Sequence, residues 1–69
     1  MVESKPLDKN SVKSLLNHWI EHNDSHSQSF RDRAKQIREI SRQAAQDVDE
    51  AAELMDKCTE MLKKAMQDL

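Results

Sequence analysis

From residue 12 to residue 37, seam-forming positions recur at alternating steps of three and four: Val12, Leu16, Trp19, Asn23, His26, Phe30, Ala34 and Ile37. That spacing returns to one side of an α-helix at every turn. Leu15 and Ile20 widen the stripe. A second stripe runs Ala44, Val48, Ala51, Met55, Cys58, Leu62, Ala65 and Leu69, flanked by Leu54, Met61 and Met66. The pattern predicts two amphipathic helices.

The ends of these helices are marked by capping chemistry. Residues 1–7 mix charge with Pro6 and read as a loose arm. Asp8 or Asn10 suits an N-cap, where a side-chain oxygen accepts a free backbone N–H. Residues 23–29 are rich in Asn, Asp and Ser, which compete for backbone hydrogen bonds, and Ser25 with Gln28 forms a potential capping box. A loop there would have no reason to preserve phase, yet the stripe passes from Trp19 to Phe30 without a slip. One continuous helix is the favoured reading.

Between the halves, Ser41 is one candidate N-cap and Asp47, with Glu50, is another. Charge favours Ser41. Residues 31–42 carry Arg31, Arg33, Lys35, Arg38 and Arg42, whereas residues 47–56 carry Asp47, Asp49, Glu50, Glu53 and Asp56. A fold-back at Ile40–Ser41 lays the basic block beside the acidic one and suits both helix dipoles. The expectation is a single all-α domain over 1–69: helix about 8–39, turn about 40–41, helix about 42–68. Its fold class is an antiparallel two-helix hairpin. A single unbroken helix in a long coiled coil is the alternative. In the hairpin, facing residue numbers sum to about 81. Phe30 is then expected to face Ala51, Trp19 to face Leu62, Asn23 to face Cys58 and His26 to face Met55.

Composition narrows this further. Glycine is absent and Pro6 is the only proline, so the turns that a sheet requires have no residues to build them. Hydrophobic residues are 36% of the 69 and charged residues 35%. So thin a core is marginal for a lone small domain. Self-association to a homodimer, as a four-helix bundle, is the expected remedy. No apolar run is long enough to span a membrane, and no secretory leader core is apparent, so a cytoplasmic location without membrane partners is expected. A formal net charge of −2 argues against nucleic acid as a partner. Cys58 is the only cysteine, which excludes an intrachain disulfide.

Candidate chemistry is concentrated in one place. All three histidines, His18, His22 and His26, lie at i, i+4 and i+8 on the first helix. Each step of four rises about 6 Å and rotates about 40°, so the imidazoles line one side. Two histidines at i, i+4 can chelate a first-row transition metal. Zinc and nickel suit imidazole ligands. His22 and His26 form the better pair, with His18 and Cys58 as further candidate ligands. The competing reading gives the same residues a structural role. Asn23 and His26, with Trp19 and Phe30 beside them, would form a polar layer that fixes helix pairing and oligomeric state. The module would then be an adaptor with a protein partner. No nucleophile constellation, phosphate loop or paired-cysteine motif is present, so an enzyme is not expected.

The segment Leu16-Asn17-His18-Trp19-Ile20-Glu21-His22-Asn23-Asp24-Ser25-His26, followed by Phe30-Arg31, resembles a small uncharacterised helical family with the pattern H-W-x-x-H-N-x-x-H and a following aromatic. The second helix of that family is also rich in Ala, Glu and Leu. The resemblance implies a continuous first helix and brings no activity with it. Members of the family carry a glycine near the turn, where this chain has Ile40-Ser41.

Overall fold

The computed structural model describes residues 7–69. The expected arm at 1–7 lies outside them apart from Leu7. Two helices follow one another, α1 over Lys9–Ile37 and α2 over Arg42–Gln67. Helix α1 begins where Asp8, in extended backbone, accepts a hydrogen bond from the Ser11 N–H at 2.8 Å. It then runs unbroken through the Asn- and Ser-rich stretch. Composition loses to phase there because α1 is held from α2 along its length, and tertiary packing overrides propensity.

Residues 38–40 make the turn. The Ile40 and Ser41 N–H groups both donate to the Ile37 carbonyl, each at 2.8 Å. Ser41 caps α2, its hydroxyl accepting from the Ala44 N–H at 3.1 Å. Asp47 lies inside the helix instead. The turn needs no left-handed residue, since no described residue has positive φ. Glycine is therefore dispensable at this corner.

The helices pack antiparallel. Arg38 pairs with Asp49 at 2.8 Å near the turn, and Arg31 with Asp56 at 2.7 Å farther along. The basic and acidic blocks thus lie side by side. No acidic residue occupies the first turn of α2, so Asp49 and Asp56 serve cross-helix pairing rather than the helix dipole.

The buried seam is a correction to the expected one. Leu16 and Ala34 are buried as anticipated, but the remaining buried residues are Ser27, Ala45, Ala52 and Thr59. Each lies one position beyond His26, Ala44, Ala51 and Cys58. Trp19, placed on the seam by its apolarity, is 44% exposed. His26, Ala51 and Cys58 are exposed as well, so Phe30 and Ala51 do not form a buried large-small pair. Small side chains allow two helix backbones to approach closely. The two hydroxyls are acceptable inside because each is satisfied: Thr59 Oγ1 donates to the Met55 carbonyl at 3.0 Å and Ser27 Oγ to Asp56 at 2.7 Å.

Candidate functional site

The contacts divide the hairpin into a polar side and an open side. On the polar side, three residues close a ring. Arg31 Nη1 donates to Ser27 Oγ at 2.6 Å, Ser27 Oγ donates to Asp56 Oδ1 at 2.7 Å, and Arg31 Nη2 donates to Asp56 Oδ2 at 2.7 Å. Arg31 is bound to both partners through one rigid fork. Sequence reasoning anticipated that the basic and acidic blocks would face each other but overlooked Ser27. Its only signal was that a small hydroxyl stood four residues before Arg31, on the same helix side.

This ring lowers the Asp56 pKa from its ordinary 3.8, first through the hydrogen bond from Arg31 and then through that from Ser27. The Arg31 guanidinium is raised in turn, chiefly by its hydrogen bond to Asp56. A carboxyl depressed in the folded state binds its proton more weakly there than in the unfolded chain. Its stabilisation is complete above the unfolded value and disappears as pH falls through the folded one. Thermal unfolding followed between about pH 5 and pH 2 should therefore show a steeper acid loss for the native chain than for Asp56→Asn. Parallel profiles for the two proteins would contradict this role for the ring.

The histidine row starts on the open side at His26 and runs obliquely toward the outer face of α1 at His18. His22 and His26 approach with Nε2 to Nε2 at 3.0 Å, their rings 4.5 Å apart and nearly perpendicular. His18 stacks on His22 at 5.9 Å, and His26 lies 6.0 Å from Phe30. The i, i+4 spacing produces this continuous row, because residues four apart are neighbours on a helix surface. All three histidines are exposed. Across the groove, Asn23 Nδ2 donates to Cys58 Sγ at 3.6 Å. These two residues were expected to share a layer, and they are in contact. Cys58 is a free, exposed thiol.

The four candidate ligands do not converge as one set. Among the described residues, no group of three His, Cys, Asp or Glu side chains is placed to hold a metal ion. What the fold assembles is a pair, His22 with His26, while His18 extends the row and Cys58 is occupied by Asn23.

The remaining apolar residues have a direction. At about 100° per residue, Trp19, Asn23, His26 and Phe30 centre roughly 50° from the line between Leu16 and Ala34 that meets α2. On α2, Val48, Met55, Leu62 and Cys58 are displaced from Ala52 by roughly 40° to 120°. Because the helices are antiparallel, both displacements fall on the same side of the hairpin, opposite the Arg31–Asp56 and Arg38–Asp49 pairs. No helix among the described residues is long and apolar enough to cross a membrane.

Neither a curated protein nor a solved structure matches the chain. A family model does match, over residues 12–69. That match begins at Val12, the first residue of the first stripe, and runs through both helices and the whole histidine row, so the chain belongs to the family described as domain of unknown function DUF8180.

Proposed function

We propose that this protein is a small non-enzymatic interaction module that completes its core by pairing with a second copy through the open side, forming a four-helix bundle. The observation that carries this reading is the direction of the apolar stripes. In a hairpin that functions alone, each stripe aims at the neighbouring helix. In a square four-helix bundle it aims at the central axis, about 45° away from that line. Here both stripes are turned off the line, toward one common side.

Two further features support it. Among the described residues no large side chain is fully buried, so most of the bulky apolar residues gain little from folding alone. Val12, Trp19, Asn23, His26, Phe30, Ala51, Met55, Cys58 and Leu62 lie on the open side and carry no formal charge; Arg33, toward the turn, is a charged residue that shares it. A partner for that surface must be long, helical and apolar. The same side of a second hairpin has all three properties.

Sedimentation equilibrium of the untagged chain tests this directly. The expected result is a concentration-dependent mass that reaches twice the 8.0 kDa of one chain. Trp19 emission should shift to the blue in step with the mass as its indole leaves water. A chain that stays monomeric at high micromolar concentration with unchanged emission would overturn the proposal.

A further inference from the structure

We infer that His22 and His26 are half of a metal site whose other half is the same pair on a second copy, so that one divalent first-row ion of the zinc type bridges two chains. The inference rests on the self-association proposed above and adds a ligand to it.

A zinc–imidazole bond is about 2.0–2.1 Å, and two such ligands at a tetrahedral angle stand roughly 3.3 Å apart. His22 Nε2 and His26 Nε2 are 3.0 Å apart, close to that separation with no rearrangement of the backbone. Without metal, the contact needs one ring protonated on Nε2 and the other bare. With metal, both Nε2 lone pairs are used. The first ring then carries its proton on Nδ1, a change of tautomer with no net proton released.

Two imidazoles are an incomplete set. Zinc sites in proteins use three or four protein ligands, and no third His, Cys, Asp or Glu among the described residues joins this pair. The missing ligands must come from outside the chain. Position along the helix indicates the source. The midpoint of α1, Lys9–Ile37, is Asn23, which lies between His22 and His26. Two hairpins paired open side to open side, with α1 antiparallel to the α1 of the second copy, therefore bring these histidines to the same level on adjacent helices. His26 also contacts Phe30 on the open side, which puts the pair at the edge of the proposed interface. Imidazole suits zinc, nickel and copper alike, and a tetrahedral set of four is the arrangement zinc takes.

Native mass spectrometry of tag-free protein, purified without metal resin and titrated with zinc chloride, tests the bridge. The expected species is a dimer with one zinc. His22→Ala and His26→Ala should each lose it, while His18→Ala and Cys58→Ser should retain it. Far-UV circular dichroism of each variant shows that the helices persist. Zinc bound once per chain, or retained by both His22→Ala and His26→Ala, would overturn the bridge. Loss of zinc in Cys58→Ser would overturn the four-imidazole set. A dimer that takes up no zinc would overturn the site and leave self-association standing. A monomer that takes up none would overturn both.

Discussion

Phe30→Asp is expected to raise the dimer dissociation constant about 100-fold or more, because a carboxylate left unpaired in an apolar interface costs about 3 kcal/mol. Phe30 lies on the open side, in contact with the His26 ring and only half-buried within the hairpin. The buried seam of the single hairpin passes instead through Leu16, Ser27 and Ala34 on α1. The substitution should therefore separate the copies while leaving both helices formed. Sedimentation equilibrium reads the first effect and far-UV circular dichroism the second. Phe30→Leu is the companion variant and should still associate. Equal association by Phe30→Asp and the native chain would place the interface elsewhere on the molecule.

Ser27→Leu should have the largest effect on the hairpin itself, a loss of about 2–4 kcal/mol. Two costs combine. Ser27 is only 3% exposed between the helices, so a larger side chain forces them apart. Its hydroxyl also joins Arg31 to Asp56, and its removal leaves both with fewer partners. The informative contrast is His26→Leu, one residue earlier. His26 is exposed on the single hairpin, so the change should alter hairpin stability by no more than about 0.5 kcal/mol. Its effect should fall on oligomeric state. Urea unfolding at a concentration low enough to keep the chain monomeric distinguishes the two. If His26→Leu were the more damaging change, the seam would have been assigned to the wrong residues.

That one-residue contrast also explains how far the chain could be read before its fold was known. Stripe spacing is a local property, as are the caps at Asp8 and Ser41 and the lack of glycine. Together they predict an all-α chain with two helices, an unbroken segment across Asn23–Ser29 and a fold-back at Ile40–Ser41, where the structure makes its turn slightly earlier, over residues 38–40. The opposed charge blocks predict which way the helices run. The row of three histidines is equally local, since a step of four places them side by side on any helix.

The choice of buried residues could not be made at that level. Stripe spacing favoured Trp19, His26, Ala51 and Cys58 as neighbours of the other helix. The structure selected Ser27, Ala45, Ala52 and Thr59, because two backbones approach only where side chains are small and because both hydroxyls are satisfied, Thr59 by Met55 within its own helix and Ser27 by Asp56 across the gap. Likewise, the His22 Nε2 to His26 Nε2 approach and the Asn23 contact to Cys58 depend on rotamers and register, which spacing does not specify. By itself, then, the sequence determined two amphipathic helices, their order, a short choice of caps and a histidine row, and the structure chose Asp8 over Asn10 and Ser41 over Asp47. Only the tertiary structure decided which edge of each stripe meets the other helix and which is turned outward. Packing of one helix on another is settled by shape and hydrogen-bond satisfaction across the gap, and these exist only once both surfaces are in place.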